Sequence, residues 1–297
     1  MTGTIVCIGD VMVDVHARLP GPLSLGSDTP APVRFLPGGS AANTACWLAS
    51  LGVAVLFAGR VGDDPAGRDA VAALQAAGVR TRVAVDPSAP TGACIVLVDP
   101  AGERTMVPSA GANAALVPDD LAGLVGPEDH LHLSGYSLLH EGSRSAALAV
   151  LRQAQAVGAS ISVDAASAAP IRSVGGGTLL GWLPAGALLI ANAAELAALA
   201  EHDDPAELTG RGLTVVVKDG PAGARIADRA GVRRVPTEPV PVLDSTGAGD
   251  AFAAGLLAAR RAGAELDEAV RQGNQIAARA LGILGGRPPS EPVGNID

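Results

Sequence analysis

The sequence predicts an α/β protein, in which a mostly parallel sheet is covered by helices on both faces and a small β flap is attached. Three observations carry that expectation. Short apolar runs alternate along the chain with stretches of helical periodicity. Glycines stand where the first of those helices should end. Two stretches, 15–36 and 91–108, carry strand and turn signals with no helix in them.

The elements follow in order. TIVCIGD (4–10) is a short apolar run that empties into Gly9 and Asp10, as a buried strand does. SAANTACWLASLG (40–52) is helical, with Ser40 as N-cap and Gly52 as terminator, and VAVLFAG (53–59) follows as a strand. PAGRDAVAALQAAGV (65–79) reads as the next helix, closed by Gly78. Within 91–108, the DPAGE turn joins two β-rich runs as a hairpin. These two helix-free stretches either cover a site or are peripheral hairpins. Further strands are HLHLSG (130–135), SISVD (160–164), ALLIAN (187–192) and LTVVVKDG (213–220). The helices between them include SRSAALAVLRQAQAVG (143–158) and NAAELAALAE (192–201). No repeat or linker divides the chain, so residues 1–297 are expected to form one domain.

Composition narrows the function. Apolar residues make up 48% of the chain, enough for a sizeable core, whereas aromatics are only 2%. With a net charge of −9, neither stacking platforms nor a basic surface is available for nucleic acid. A small anion can still be held locally by backbone N–H groups and one cation. Cys7, Cys46 and Cys94 form no CxxC or Cys/His cluster and read as small buried hydrophobes. The first residues lack a signal-peptide pattern and no apolar run reaches 18 residues, so the expectation is a cytoplasmic protein with no membrane contact.

Two stretches carry chemistry. In DSTGAGDAFAAG (244–255) a helix should begin near Gly247–Gly249, where free N–H groups and the helix dipole favour an anion. Asp250 then sits in the first turn. It either complements the dipole or takes a proton from a hydroxyl attacking phosphorus. In PGGSAANTACWLASLG (37–52), Gly38 and Gly39 offer backbone donors at a second helix start, and Asn43 adds a donor and an acceptor suited to a polyhydroxylated ligand. Asp10, Asp14, Ser134, Asp164, Asn192 and Asp219 lie at or just past strand ends, where open α/β sheets bind ligands. A P-loop pattern is missing, and GAGDAF is misplaced for a dinucleotide fingerprint.

GGSAANTACWLASLGVAVLFAGRVG and DSTGAGDAFAAGLL resemble the two signature motifs of the ribokinase-like, or PfkB-type, carbohydrate kinase family. SAGANAAL (109–116), NAAE (192–195) and KDGPAG (218–223) resemble other family stretches in the expected order. The resemblance spans almost the whole chain. It implies a three-layer α/β/α sandwich with a β lid from about 15–36 and 91–108, using ATP and Mg2+, with K+ as a further expectation. Asp250 is then the base, and Gly247, Ala248 and Gly249 form the anion hole. Asp14, Gly38, Gly39 and Asn43 bind acceptor hydroxyls, with Asp10 close by. Asn192 and Glu195 organise magnesium, water and phosphates. Lys218, the only lysine in the chain, joins Gly220 and Gly223 in the nucleotide loop, and Asn274 falls where the family contacts adenine. Asp244, Thr246 and the segment near Gly286 and Ser290 resemble a monovalent-cation loop.

Met12 stands where ribose-specific members carry asparagine, and Ser134 lies near the position of their glutamate. The expected activity is transfer of the ATP γ-phosphoryl group to a hydroxymethyl group of a sugar. A nucleoside kinase of the same family and a catalytically idle metabolite-binding regulator are the alternatives. Lids in this family pair into dimers, which makes a second copy of the chain an expected partner.

Overall fold

Alternate residues of the first strand enter two different cores. Val6 and Ile8 join one, Ile5 and Cys7 the other. A strand buried on both faces belongs inside a parallel sheet with helices on each side. The computed structural model describes residues 3–289 except 101–103, 201 and 203. Its strands are β1 (Ile5–Ile8), β2 (Met12–Arg18), β3 (Val33–Gly38), β4 (Val55–Gly62), β5 (Arg80–Asp86), β6 (Gly92–Val98), β7 (Arg104–Ser109), β8 (His130–Ser134), β9 (Ser160–Asp164), β10 (Leu188–Asn192), β11 (Thr214–Lys218), β12 (Ala224–Asp228) and β13 (Gly231–Val235). Its helices are α1 (Ser40–Ser50), α2 (Pro65–Ala76), α3 (Tyr136–Leu139), α4 (Glu141–Ala156), α5 (Ala168–Val174), α6 (Gly176–Trp182), α7 (Ala193–Leu199), α8 (Ala206–Thr209), α9 (Ala248–Arg261) and α10 (Leu266–Ala280).

The main sheet has the order β13-β12-β11-β10-β9-β8-β1-β4-β5. From β11 to β5 every neighbouring pair is parallel, and β12 and β13 close the other edge as an antiparallel hairpin. Residues of α4 and α7 fill the core on one face, while α1, α2, α9 and α10 cover the other. Small residues at the contacts, among them Ala251, Ala254 and Ala269, bring the helices close to the sheet and to one another.

A second sheet, β3-β2-β6-β7, combines both helix-free stretches of the sequence. Its two faces differ. Asp14 and Cys94 lie opposite each other on the inner face and are buried. On the outer face Phe35, Val15, Ile95 and Val107 stand in one register row, and Phe35 is 74% exposed. The β6–β7 register runs from Ala93 opposite Ser109 to Val98 opposite Arg104, and the DPAGE turn falls partly outside the described residues.

Two local expectations change. Ser40 is the first residue of α1, and Gly39 is the cap; the Ser40 hydroxyl is used elsewhere, as shown below. The β12–β13 hairpin has no counterpart among the expected strands. Its run ARIADRAGVRRV is rich in arginine, and Arg233 is neutralised by Asp228 and by Asp267 from α10. Among the described residues, no helix is long and apolar enough to cross a membrane. The three cysteines are free and buried.

Candidate active site

Parallel strands all point the same way, so their carboxyl ends gather polar residues that are distant in sequence. Ser134 ends β8 in register with Asp164 at the end of β9. Asn192 ends β10 in register with Lys218 at the end of β11. Asp10 follows β1, and its carboxylate accepts bonds from the Ser40 N–H (2.8 Å) and the Ser134 hydroxyl (3.0 Å).

The first turn of α9 projects over this row. Gly247 caps the helix with φ +71, and a Cβ there would come within 2.4 Å of the Gly286 Cα, so only glycine fits. Gly247, Ala248 and Gly249 thus present a helix start, and Asp250 lies in its first turn. The Asp250 carboxylate accepts from the Ser40 hydroxyl at Oδ1 (2.8 Å) and from the Asn43 amide at Oδ2 (2.9 Å). The residue is half-buried. Burial pushes it up to about 7 against the bonds from Asn43 and Ser40; Asp164 adds to the rise and Lys218 opposes it.

Lys218 reaches into the same space. Its ammonium pairs with Asp164 at 2.9 Å, and the pair keeps only 16% and 8% side-chain exposure. A Cβ on Gly249 would lie 3.1 Å from Lys218 Nζ, so the ammonium sits against the glycine turn of α9. Burial works against its charge, yet Asp164, Glu195 and Asp250 together hold its pKa above the ordinary lysine value.

Glu195 is 3% exposed. It forms a reciprocal cap with Asn192: the Asn192 side chain accepts from the Glu195 N–H at 2.9 Å, while Glu195 Oε2 accepts from the Asn192 N–H at 2.7 Å. Burial, and then Asp164, push Glu195 up to about 7. Among the described residues no three histidine, cysteine or carboxylate groups converge as a ready-made metal site. A hard divalent ion held by one or two carboxylates and by phosphate oxygens fits such a donor set, as magnesium binding does.

On the acceptor side, Gly38 approaches the Asp14 carboxyl so closely that a Cβ would lie 2.4 Å from its oxygens. Burial and the neighbouring Asp10 push Asp14 up to about 6, and Arg287 pulls it back. Met12 is half-buried in register with Gly38 and Gly92.

The remaining predicted residues are dispersed around this centre. Gly220 opens a single 3₁₀ turn after β11, and the Asp219 N–H donates to the Gly223 carbonyl at 2.8 Å to close it. Asn274, buried in α10, donates to the carbonyls of Val235 (3.3 Å) and Pro236 (3.5 Å). Asp244 accepts from the Thr246 N–H (2.8 Å) and hydroxyl (2.7 Å), and from the Gly285 N–H (2.9 Å). Burial opposes its charge, but these bonds and Arg104 hold its carboxyl below the usual range. Arg104, from β7, donates to the Thr246 hydroxyl at 2.8 Å. Gly286 packs against Asn43. Ser290 lies outside the described residues.

Three polar contributors were not assigned site roles by the sequence: Ser40, Arg104 and Arg287. Ser40 had a readable signal, since it follows Gly38-Gly39 and lies one helical turn before Asn43. The other two are brought in only by tertiary structure, and Asp164, expected only as a strand-end polar residue, gains Lys218 as its partner.

This arrangement, a glycine-rich helix start with a half-buried carboxylate beside a lysine, is suited to phosphoryl transfer. The chain belongs to the pfkB family of carbohydrate kinases, whose family model matches residues 2–292. It is 34% identical over 255 residues to an ATP-dependent ribose-1-phosphate kinase of Halopiger xanaduensis, covering 84% of this chain and 82% of that one. It superposes on the adenosine kinase of Sinorhizobium meliloti with a TM-score of 0.86 and 26% identity, covering 97% and 96% of the two chains. It also superposes on the fructokinase of Vibrio cholerae O395 bound to fructose, ADP and calcium, with a TM-score of 0.78, 26% identity and 96% and 94% coverage. The ribokinase-like α/β fold follows, as does activity as a sugar or nucleoside kinase.

Proposed function

We propose that the chain transfers the γ-phosphoryl group of ATP to a hydroxymethyl group of a small sugar. The acceptor oxygen bonds to the γ-phosphorus as the bond to the ADP oxygen breaks, and Asp250 takes the hydroxyl proton. The observation that carries this reading is the Asp250 carboxylate. It is oriented by two hydrogen bonds, lies in the first turn of a helix that favours anions, and is pushed up to about 7, a value suited to a base at neutral pH.

The N–H groups at Gly247, Ala248 and Gly249 stabilise charge on the transferred group. Asp14, Gly38, Gly39 and Asn43 hold acceptor hydroxyls, with Asp10 and Ser134 behind them. Lys218, Gly220 and Gly223 bind the nucleotide phosphates, with Asn192 beside them and Asn274 near the base. Glu195 would hold magnesium, which when bound would supply positive charge to the phosphates. A monovalent cation at Asp244 and Thr246 would share those oxygens with Arg104. The whole chain acts as one kinase domain, with the β3-β2-β6-β7 sheet as its lid and the Arg104–Thr246 bond as a tie between them. The exposed row Phe35–Val15–Ile95–Val107 fits a second copy of the same lid. Free cysteines and the need for ATP fit the cytoplasm.

A nucleoside acceptor is the second reading. Met12, half-buried beside Gly38, offers a base or sugar carbon an apolar contact in place of a hydroxyl partner. An idle binder is disfavoured because the base and both its orienting bonds are intact.

ATP consumption with magnesium and potassium, measured across sugars, sugar phosphates and nucleosides, identifies the acceptor by its kcat/KM. With that acceptor, Asp250→Asn lowers kcat by roughly 10²–10⁴-fold while ATP binding changes little. Turnover near that of the unaltered enzyme would overturn the assignment of the base.

A further inference from the structure

Arg287 is a buried cation that no motif points to. It is 9% exposed and lies after α10, where the chain returns to the start of α1. Its Nε donates to Asn43 Oδ1 at 3.1 Å, and its Nη2 donates to the Gly38 carbonyl at 2.9 Å. Nη1 has no nitrogen or oxygen partner, and the Cys46 thiol lies beside the guanidinium. The preceding residue is wedged in place: a Cβ on Gly286 would fall 2.4 Å from Asn43 Nδ2, and the Gly286 carbonyl accepts from Trp47 Nε1 at 3.0 Å.

An asparagine amide can turn over, presenting either its oxygen or its NH2 to a neighbour. A guanidinium only donates, so it accepts one orientation, with Oδ1 facing Arg287. Nδ2 is then directed at Asp250, to which it donates at 2.9 Å. The reversed amide would set an oxygen against the Asp250 carboxylate. The second arm, on the Gly38 carbonyl, fixes the glycine loop that precedes α1.

We propose that Arg287 is a positioning residue for the base: through Asn43 it holds the hydrogen bond that keeps Asp250 ionised, and through Gly38 it keys the acceptor loop to the same geometry. This rests on the reading of Asp250 as the base. The groups facing Asp250 are Ser40 and Asn43 from α1, Asp164 from β9, Lys218 from β11, Tyr136 from α3 and Arg287 itself. Of these, Asn43 is the one that Arg287 touches.

The test uses the full chain and needs no acceptor. Aspartate carboxyls are labelled with 13C, the Asp250 resonance is assigned by its loss in Asp250→Asn, and its titration midpoint is followed by NMR. In Arg287→Met the midpoint rises from about 7 by roughly one pH unit, the worth of one hydrogen bond to a charged group. Asn43→Ala raises it similarly, and adding Arg287→Met to Asn43→Ala moves it less than half as far again. Arg287→Lys keeps the buried charge but not the fork. Should the methionine variant fail to fold, the lysine variant takes its place, and it too raises the midpoint in the Asn43 background and not in the alanine one. A midpoint that stays within a few tenths of a unit overturns the proposal. An equal rise in both backgrounds also overturns it, because the guanidinium then acts by charge alone. Failure of the base assignment is a separate result: Asp250→Asn would keep its turnover whatever the titration shows.

Discussion

Replacing Lys218 by methionine strands a buried carboxylate at the centre of the site. The Lys218–Asp164 pair is 2.9 Å apart with 16% and 8% side-chain exposure. At an effective dielectric of about 20 its Coulomb attraction is on the order of 6 kcal/mol, most of it offset by the cost of taking both charges out of water. Removing the lysine alone leaves that cost on Asp164, which keeps only the Ala166 N–H at 2.9 Å on its other oxygen. The expected loss of stability is about 3 kcal/mol, at the low end for a buried pair because the lysine retains some water contact.

Urea denaturation at pH 7.5 measures it. Lys218 has its pKa raised in the folded protein, so the pair's contribution is fully present below the ordinary lysine value near 10.4 and is lost only as pH rises through the folded value. The deficit should therefore deepen just above pH 7, where Asp250 and Glu195, which Lys218 also holds down, ionise, and narrow only in strongly alkaline solution. A deficit below about 1 kcal/mol would mean that the pair behaves as a solvated surface bridge, and the argument from burial would fall.

Two further outcomes are expected. On the proposed reading Asp250 works ionised, and it is pushed up to about 7, so kcat/KM should fall as pH drops below about 7; Glu195, also about 7, and Asp14, about 6, titrate on the same limb. A rate that stays flat from pH 5 to 8 would refute the assignment of an elevated base. On the proposed pairing, Phe35→Glu places a charge in the exposed row of the β3-β2-β6-β7 sheet, so sedimentation should show a dimer for the unaltered chain and a monomer for the variant. A monomeric unaltered chain would dispose of the pairing.

What the sequence makes readable depends on how far apart the partners lie. The central strands could be read because burial on both faces makes them continuous apolar runs, as in IVCI and TVVVK. The glycine-rich start of α9 could be read because Gly247 to Asp250 are consecutive, and Asn192 and Glu195 stood out as a pair three residues apart, although their reciprocal cap was not foreseen. The β12–β13 hairpin was hidden by its arginines, of which Arg225 pairs with Asp219 and Arg233 with Asp228 and Asp267 once the chain is folded. The contacts that set the electrostatics span 54 residues for Lys218–Asp164, 210 for Ser40–Asp250 and 244 for Arg287–Asn43. Sheet register and helix packing determine those pairs, and no local pattern encodes them.

This separation explains why the charge pattern looks wrong for a kinase until it is folded. The chain has 30 acidic residues against 21 basic ones, and Asp10, Asp14, Asp164, Glu195 and Asp250 gather around the place proposed for ATP phosphates. Two buried cations, Lys218 and Arg287, face those carboxylates and do not cancel them. Burial lifts Asp14, Glu195 and Asp250 above the ordinary carboxylate range, and the uncancelled neighbouring carboxylates add to the rise. On the proposed reading, a divalent ion arriving with the nucleotide supplies the missing positive charge. An acidic pocket then favours the metal-bound nucleotide over the free tetra-anion and keeps its base near neutrality for use.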